Sequence, residues 1–574
     1  MNKFIRVDMT LKEVKVGDCP AKYAGLAGRA LTSNFVADEV KPTCHPLGKN
    51  NKLIFAPGFL SGTSAANSGR ISCGAKSPLT GGIKESNSGG TFSQKMARMG
   101  IKALVLEGTP AEDKYFVVKI TMNGVTIDEA PPEILGMRNY EAIKLLQEKY
   151  GKKAGVAIIG PAGEMRLAAA NISFADPDGN IRSAGRGGLG AVMGSKKIKA
   201  VIIDDTDAPG VTIAHPEAFK SAAARFAKAL ANHPVCKGLG KYGTNVLVNV
   251  LNEAGGLPTE NFRRGQNEWA NKIGGETMTE NMEARGGKPT HGCHAGCVIR
   301  CSQHYVDKQG RYITSGFEYE TIWALGANAK INDLDVIANA DRGFDEGGVD
   351  SIDCAVAVGL AMEAGVIPWG DGNAALELVK EIRKGTPLGR IIGCGAAAVG
   401  RAYGLSRVPV VKGQAIPAYD PRSVKGVGLT YATTPMGADH TAGYAVATNI
   451  LKVGGFVDPL SKKGQVELSR NLQIATAAID STGMCLFIAF PVLDIPDCFN
   501  ALVDMINAQY GLALSADDVT ALGKSALKAE RAFNQRAGFT NADDRLPEFF
   551  EEECPPHKTT WDFTDQEIDE VMNF

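Results

Sequence analysis

The spacing of apolar residues changes part of the way along the chain, and this change limits the available folds. Up to about residue 205, short strand-like apolar runs are separated by glycine-rich turns, as in KLIFAPG (52–58), ALVLEG (103–108) and KAVIIDD (199–205). Further on, helical spacing prevails, as in HPEAFKSAAARFAKALANH (215–233). Strands and helices do not alternate regularly in the first part, so the pattern does not predict a doubly wound sheet.

The sequence predicts an α+β protein with a β-rich N-terminal domain followed by two mainly α-helical domains. We place the domains at residues 1–205, 206–403 and 404–574. The first boundary falls in TDAPGVTIAHPEAF, where a proline-containing loop precedes the helices. The second falls in GLSRVPVVKGQAIPAYDPR, which carries three prolines.

Charge and hydropathy exclude several classes of partner. The 62 basic and 63 acidic residues give a formal net charge of −1, so neither nucleic acid nor an anionic membrane surface would be attracted over long range. We find no apolar run of about eighteen residues that could span a membrane. The N-terminal FIRVDM alternates like a strand and does not resemble a signal peptide. We therefore expect a cytoplasmic enzyme whose twelve cysteines are thiols, core residues or metal ligands.

A group of cysteines and histidines occurs in HGCHAGCVIRCSQH (291–304), where Cys293, Cys297 and Cys301 follow a C-x3-C-x3-C spacing. This spacing suits a 4Fe–4S cluster with one further thiol, or a zinc ion with a histidine, or a buried helix face. The histidines available to zinc are His291, His294 and His304. Cys485, in AAIDSTGMCLFIAF, is the best candidate for a fourth thiol, because polar residues precede it in an otherwise apolar segment.

Three glycine-rich stretches indicate close approach of the backbone to a ligand. They are LSGTSAANSGRISCGAKSPLTGGIKESNSGG (60–90), which we predict as a loop between strands, SAGRGGLGAVMGSKKIKAV (183–201) and DEGGVDS (345–351). None matches a Walker loop or a correctly placed G-x-G-x-x-G. Backbone N–H groups and arginines suit phosphate oxygens, so the three together favour a large phosphate-bearing cofactor.

These stretches make the chain recognisable over nearly its whole length. It resembles the tungsten-containing aldehyde:ferredoxin oxidoreductase family, in its bacterial form, through the following motifs in shared order: NKLIFAPGFLSGTSA, KSPLTGGI, NSGG, IGPAGE, AGRGGLGAVMGSK, KYGTNVLVN, EYETIWALGAN, PAYDPR and IDSTGMCLF. The resemblance implies an N-terminal β domain whose two sheets form a base for the cofactor. It also implies tungsten held by two pyranopterins, with molybdenum as the alternative metal, a Mg²⁺ ion between the pterin phosphates, and a 4Fe–4S cluster.

The resemblance also implies roles for individual residues. Glu320 would accept a proton, and His440 would donate a hydrogen bond to the substrate oxygen. The cluster ligands would be Cys293, Cys297, Cys301 and Cys485. The pterin contacts would be Arg70, Asn87, Gly89, Arg186, Asp345, Val349, Asp350, Ser351, Asp480 and Met484. The best-known archaeal members space the first two cysteines as C-x2-C, and the additional residue here leaves His294 as an alternative ligand.

The expected function is oxidation of an aldehyde to a carboxylic acid, with electrons passing through the cluster to ferredoxin or an iron–sulfur partner subunit. Two alternatives are a tungsten-dependent reductase of aromatic acyl thioesters, of the benzoyl-CoA type, and a non-catalytic zinc-stabilised or small-molecule-binding protein. Some archaeal members dimerise around an iron bound by an E-x-x-H pair. Ala338 and Asp341 stand at the matching positions, so we do not expect that metal-bridged dimer, whereas other oligomers stay open.

Overall fold

The computed structural model describes residues 2–574 and begins with two six-stranded sheets. The strands of the first sheet are β1 (Lys3–Asp8), β2 (Glu13–Asp18), β3 (Leu53–Pro57), β4 (Ile71–Lys76), β5 (Ile83–Ser88) and β6 (Ile101–Glu107). Their order is β2-β1-β6-β3-β4-β5. The pair β1 and β6 runs parallel and the other neighbours run antiparallel, which agrees with the absence of a doubly wound pattern in the sequence.

The second sheet has the order β11-β10-β9-β12-β7-β8. Its strands are β7 (Phe116–Thr121), β8 (Gly124–Glu129), β9 (Gly155–Ile158), β10 (Ile172–Ala175), β11 (Ile181–Ala184) and β12 (Ile198–Ile203). The two sheets share one apolar core, in which Phe55 of the first sheet packs edge to face on Phe174 of the second. Burial of such aromatic pairs holds the sheets together. The predicted β-rich N-terminal region is thus confirmed.

Residues 2–574 contain 23 α-helices, most of which follow the two sheets. The first five lie among the strands: α1 (Gly28–Glu39), α2 (Phe92–Arg98), α3 (Asn139–Tyr150), α4 (Pro161–Glu164) and α5 (Leu189–Ser195). The next are α6 (Pro216–Asn232), α7 (Pro234–Tyr242), α8 (Leu247–Glu253), α9 (Ala270–Ile273), α10 (Gly275–Arg285), α11 (Tyr319–Leu325), α12 (Leu334–Gly347), α13 (Ser351–Glu363), α14 (Gly372–Lys384), α15 (Pro387–Gly393) and α16 (Ala396–Tyr403). The last are α17 (Lys425–Thr433), α18 (Val446–Asn449), α19 (Gln465–Thr482), α20 (Ala489–Asp494), α21 (Pro496–Tyr510), α22 (Ala516–Ala537) and α23 (Asp565–Glu570).

Short elements complete the fold. A three-stranded sheet contains β13 (Lys288–His291), β14 (Ser302–Val306) and β15 (Tyr312–Ser315), and a two-stranded one contains β16 (Val410–Val411) and β17 (Gln414–Ala415). The 3-10 helices are Ala21–Tyr23, Pro132–Ile134, Thr244–Val246, His440–Ala442, Leu486–Ile488, Asn541–Asp543 and Glu548–Glu551.

Two stretches differ from the sequence predictions. Segment 60–90, predicted as a loop between strands, contains β4 and β5, which pair with each other and are almost wholly buried. The polar residues of β5 face a cavity inside the protein and those of β4 are also buried, so the usual alternation of apolar and polar residues is missing. The sheet formed by β13, β14 and β15 also lies in a region that we predicted as helical.

One large apolar core joins the helical segments on both sides of residue 403. The domain boundaries at residues 205 and 403 therefore stay predictions. Within residues 2–574, no helix combines the length and the apolar character needed to cross a bilayer.

Candidate active site

A cavity lies where the N-terminal sheets meet the helical region. Its walls come from the ends of β5 and β11, the start of α11, the junction of α12 and α13, the 3-10 helix at 440–442 and the end of α19. The empty space is about 1950 Å³, including the opening to solvent, which is room for a large organic group. The predicted site residues that line it are Arg70, Asn87, Gly89, Arg186, Cys293, Cys301, Glu320, Asp345, Val349, Asp350, Ser351, His440, Asp480 and Cys485.

The three closely spaced cysteines lie on an irregular loop of bends and turns between β13 and β14. The interpretation of these cysteines as one buried face of a helix is therefore wrong. Cys293 and Cys301 line the cavity. The Cys297 sulfur accepts hydrogen bonds from the amide of Arg300 at 3.3 Å and from Asn67 Nδ2 at 3.6 Å.

Asn67 joins this loop to the distant Cys485. Its backbone N–H donates to the carbonyl of Gly296 at 3.0 Å, and its side-chain oxygen accepts from the amide of Val298 at 3.0 Å. Its carbonyl accepts from the amide of Cys485 at 2.9 Å. Asn67 adopts a φ of 61°, a left-handed conformation that asparagine tolerates better than most residues. One residue thus brings the two cysteine-bearing segments together.

Glycines allow these segments to approach closely. Gly483 ends α19 with a φ of 81°, and a side chain at Gly58 would lie 1.9 Å from the Gly483 amide nitrogen. A Cβ at Gly89 would lie 3.1 Å from the sulfur of Cys293, and the Gly90 amide donates to the Cys293 carbonyl at 2.9 Å. The sequence therefore needs glycine at Gly58 for the chain to turn Cys485 toward the cavity.

Burial of the thiols disfavours their charged form. It raises the pKa of Cys485 to about 11 and that of Cys301 well above its usual range, and neighbouring thiols act in the same direction. The Cys293 sulfur lies 3.2 Å from Nδ1 of His294. His294 thus contacts a thiol by hydrogen bonding.

The cavity contains buried polar atoms that the protein leaves without hydrogen-bond partners. They are Glu85 Oε1, Asn87 Nδ2, Ser88 Oγ, Ser183 Oγ, Ser302 Oγ, Ser315 Oγ, Glu320 Oε1 and His440 Nδ1. Buried polar groups in native proteins are normally hydrogen-bonded, so this concentration in one cavity indicates a polar ligand. Arg70 lies in the same wall and donates to the side-chain oxygen and the carbonyl of Asn87.

Arg186 is already bound within the protein. Its guanidinium donates to Asp350 and Asp353 at 3.2 Å each, to the carbonyl of Ala438 at 2.7 Å and to that of Ala415 at 2.6 Å. An arginine has five N–H donors, so one remains for a ligand. Asp350 also accepts from the amide of Ile352 at the start of α13. Arg186 and Asp350 thus shape the cavity wall through internal bonds.

Two acids of α12, Asp341 and Asp345, line the cavity, and the charge of Asp341 acts on Asp345. Burial raises the pKa of Asp341 to about 7, and it raises the pKa of Asp345 well above its usual range with the help of Asp341. Thr314 Oγ1 donates to Asp341 at 2.7 Å. Ala338 is also buried, so both positions that match the archaeal E-x-x-H pair lie inside the protein.

Met484 is the predicted pterin contact that lies outside the cavity lining. Its side chain is fully buried and packs in an apolar cluster with residues of α6 and α21. The remaining predicted contacts at Val349, Ser351 and Asp480 do line the cavity, and Asp480 accepts from Arg29 Nη1 at 3.2 Å.

Glu320 and His440 lie together on the wall formed by α11 and the 440–442 helix. His440 Nε2 lies 3.2 Å from Glu320 Oε1, but the two groups are not aligned for a hydrogen bond. Glu320 Oε2 accepts from the amide of Ala418 at 3.0 Å. Burial raises the pKa of Glu320 to about 8 and lowers that of His440 to about 4. Burial therefore favours the uncharged form of both groups.

The two neighbouring acids have other contacts. Glu318 Oε2 accepts a hydrogen bond from Thr244 Oγ1 at 2.6 Å. Its charge contributes to the raised pKa values of the Cys301 and Cys485 thiols, so Glu318 lies close to the cysteines. Asp439 caps the 440–442 helix by accepting from the amide of Thr441 at 2.9 Å. Although burial opposes it, Lys84 and Arg186 hold the pKa of Asp439 below its usual range.

Sequence reasoning missed several residues of the cavity. The charged ones are Arg29, Lys84, Glu85 and Arg182, and the aromatic ones beside His440 are Tyr419 and Tyr444. Arg29 stands in α1, far along the chain from its partners Asp480 and Glu530. Lys84 and Glu85 carried a usable signal, since they lie in the same glycine-rich segment 60–90 as Arg70.

The double sheet, the cavity with its unpaired polar atoms and the converging thiols define a large-cofactor enzyme of the redox class. Comparison of the sequence with models of known protein families identifies which family this is. Residues 4–205 match the model described as aldehyde ferredoxin oxidoreductase, N-terminal domain, and residues 221–573 match the model of its domains 2 and 3. The chain belongs to the aldehyde ferredoxin oxidoreductase family, a family of oxidoreductases.

Individual relatives agree with this assignment. The chain is 36% identical to the tungsten-containing aldehyde ferredoxin oxidoreductase of Pyrococcus furiosus over 575 residues, covering 96% of this chain and 92% of that protein. It is also 36% identical to the enzyme of the same name from Thermococcus kodakarensis, over 96% and 92% of the two chains. A solved structure, the active site complex BamBC of benzoyl coenzyme A reductase with 1,5 dienoyl-CoA, superposes with a TM-score of 0.83. It covers 99% of this chain and 93% of that one at 18% identity, which shows the shared fold.

Proposed function

We propose that this protein oxidises aldehydes to carboxylic acids at a tungsten centre held by two pyranopterins. The single observation that carries the proposal is the meeting of Glu320 and His440 with the cysteine-bearing segments in one cavity. The relatives named as tungsten-containing aldehyde ferredoxin oxidoreductases, at 36% identity over 96% of the chain, support the choice of reaction.

The residues present fit the cofactor. Carboxylates and amides with unpaired atoms, such as Glu85 and Asn87, suit the ring N–H and amine groups of a pterin. Arg70 and Arg182 supply positive charge for phosphate groups. Mg²⁺ between those phosphates, and molybdenum in place of tungsten, are part of the same proposal. When bound, the metal–pterin group supplies a two-electron acceptor and polarises the substrate oxygen.

The thiols fit a 4Fe–4S cluster better than a single zinc ion. Zinc holds its ligands at about 2.0–2.3 Å, so its ligand atoms must lie close together. Among residues 2–574, the one group of three or more His, Cys, Asp or Glu ligand atoms that lie within 4.8 Å of one another does not include a cysteine. A cube spreads its four thiolates more widely, one per iron. Cys293, Cys297, Cys301 and Cys485 would hold it.

The protein's own residues handle the proton. Aldehyde and water together become carboxylate, three protons and two electrons, and Glu320 takes up one of those protons at a carboxylate oxygen. Its pKa of about 8 lies near neutral pH, where a group can both accept and release a proton efficiently. His440 is neutral at that pH, so its ring N–H can donate to the aldehyde oxygen.

A cluster held by Cys293, Cys297, Cys301 and Cys485 would pass the electrons on to a ferredoxin or an iron–sulfur subunit. Tyr419 and Tyr444, whose hydroxyls are 2.9 Å apart, line the cavity wall beside His440 and present aromatic surface to the substrate.

Two measurements test this function. Elemental analysis of the purified protein should find tungsten or molybdenum together with about four irons per chain. An aldehyde screen with an artificial electron acceptor should show oxidation to the acid. Reduction of an aromatic acyl thioester without aldehyde oxidation would favour the benzoyl-CoA-type reaction instead, and zinc as the sole metal would overturn both.

A further inference from the structure

Two of the histidines beside the cysteines do not contact the thiols. His291 ends β13 and His304 lies in β14, so they stand at the two ends of the cysteine loop. Their ring centroids are 4.3 Å apart. Neither ring lines the cofactor cavity, and both contact the turn 176–180, which joins β10 to β11.

Asp176 fixes the orientation of His291. Its Oδ2 lies 3.0 Å from His291 Nε2 and also accepts from Arg182 Nη2 at 3.0 Å. Its Oδ1 accepts from the amides of Asp178 and Asn180 at 2.9 Å each. A carboxylate held by so many donors cannot turn away, so it favours the His291 tautomer that carries its proton on Nε2. Nδ1 is therefore left with its lone pair, as in metal-binding histidines that are oriented by a carboxylate.

That lone pair faces further ligand atoms. His291 Nδ1 lies 3.5 Å from Asp178 Oδ2, and a ring nitrogen of His304 completes a set in which all three ligand atoms are within 4.8 Å of one another. Asn180 Nδ2 also lies 3.2 Å from His304 Nε2. His291 is buried, whereas the Asp178 side chain is 59% exposed, so an ion can enter from solvent.

We propose that Asp178, His291 and His304 form a binding site for a divalent transition-metal ion of the zinc type, separate from the cofactor cavity. Two imidazoles and one carboxylate, with a fourth position open to water, are a ligand set that zinc accepts. The bound ion would tie the turn of the N-terminal sheet to both ends of the cysteine loop. This site does not depend on the proposed reaction.

Zinc uptake by the purified holoprotein tests the site. The protein is dialysed against Zn²⁺, and zinc and iron per chain are counted by mass spectrometry of the metals. We expect one zinc per chain in the wild type, and a loss of affinity of at least about tenfold in Asp178→Asn and in His304→Gln. Asp207→Asn and His215→Gln are matched controls at exposed positions away from the site and should bind zinc like the wild type.

The variants keep every cysteine, so zinc bound by thiols alone would appear equally in the wild type and in both variants. That result would overturn the proposal, as would a wild type that takes up no zinc. Iron content in the same samples reports whether each variant is folded. As a second readout, Zn²⁺ should raise the thermal midpoint of the wild type and leave that of Asp178→Asn unchanged, because only a ligand bound to the folded state stabilises it.

Discussion

The cavity has a cysteine side, formed by the loop 291–301 and Cys485, and a proton side, formed by Glu320 and His440. The two sides differ in their hydrogen bonding. On the cysteine side, backbone hydrogen bonds through Asn67 and close glycine contacts fix the cysteine segments. On the proton side, Glu320 Oε1 and His440 Nδ1 have no hydrogen-bond partner within the protein. Hydrogen bonds on the cysteine side join protein segments to each other, whereas the unpaired atoms on the proton side are available to a ligand. This contrast is what a site needs if one part holds a fixed group and another meets a changing substrate.

The largest effect should follow from removing the fourth thiol. We expect Cys485→Ala to lose the absorption and electron-spin signals of a four-iron cluster, because a cube needs one thiolate per iron. Iron per chain and the spectra provide the measurement. Cys236→Ala is the matched control, since Cys236 is also a buried thiol, whose pKa is raised to about 12 by burial and then by neighbouring Cys485. An intact cluster in Cys485→Ala would contradict the ligand assignment.

On the proton side, Glu320→Gln should lower the turnover number by about 10²–10⁴-fold, the usual contribution of a general base. The tungsten and iron contents of the variant should match the wild type, so that the loss of turnover can be assigned to the missing carboxylate. Glu318→Gln should have a smaller effect on turnover, since its carboxylate is bound to Thr244 on the cysteine side. Equal losses in the two variants would remove the distinction between the two sides.

The rate should depend on pH through Glu320. Proton acceptance needs the carboxylate, so turnover should rise about tenfold per pH unit and level off above the pKa. That pKa is about 8, so the plateau should begin there. The measurement is turnover with an artificial acceptor over a pH series. A profile that is flat between neutral pH and this value would show that Glu320 is not the acceptor.

Stability should change with pH in the opposite direction. The folded protein keeps the Glu320 proton up to about pH 8, whereas the unfolded chain releases it near 4.5. The folded state therefore binds more protons between these values, and this group makes the free energy of unfolding fall as pH rises through that window. Glu320→Gln should flatten this part of a denaturation series. An unchanged slope would contradict the raised pKa.

The smallest effect should come from Asn67. Asn67→Ala leaves the Val298 amide unpaired, which costs about 1–3 kcal/mol of folding free energy. It also places alanine at a φ of 61°, where asparagine or glycine is preferred. Asn67→Gly loses the same hydrogen bonds without that strain, so it should be the more stable of the two in thermal denaturation. If both match the wild type, the cysteine loop is held by other contacts.

The sequence allowed the strands of the two sheets to be predicted wherever apolar residues mark them, as in β3, β6 and β12. It did not reveal β4 and β5, because their polar residues are buried, those of β5 against the internal cavity, and look like those of a solvent-exposed loop. The local pattern of apolar and polar residues shows which apolar side chains are buried, but it cannot distinguish polar residues in the interior from polar residues on the surface.

The site shows the same limit. Composition and spacing singled out the glycine-rich stretches and the cysteines, with Cys485 as the candidate fourth thiol, and the family resemblance implied that all four cysteines bind one cluster. Neither source showed that Arg186 is already bound by Asp350 and Asp353, or that Met484 packs in a core. Such contacts join residues far apart along the chain, so no local pattern records them.

The contact between Gly58 and Gly483 has a consequence for biosynthesis. Translation delivers the sheets and the first three cysteines long before the ribosome reaches residue 485. A nascent chain therefore has no complete set of four thiols, and its cavity lacks the wall that α19 supplies. A cluster on the four cysteines proposed as its ligands can therefore be completed only after residue 485 has been synthesised.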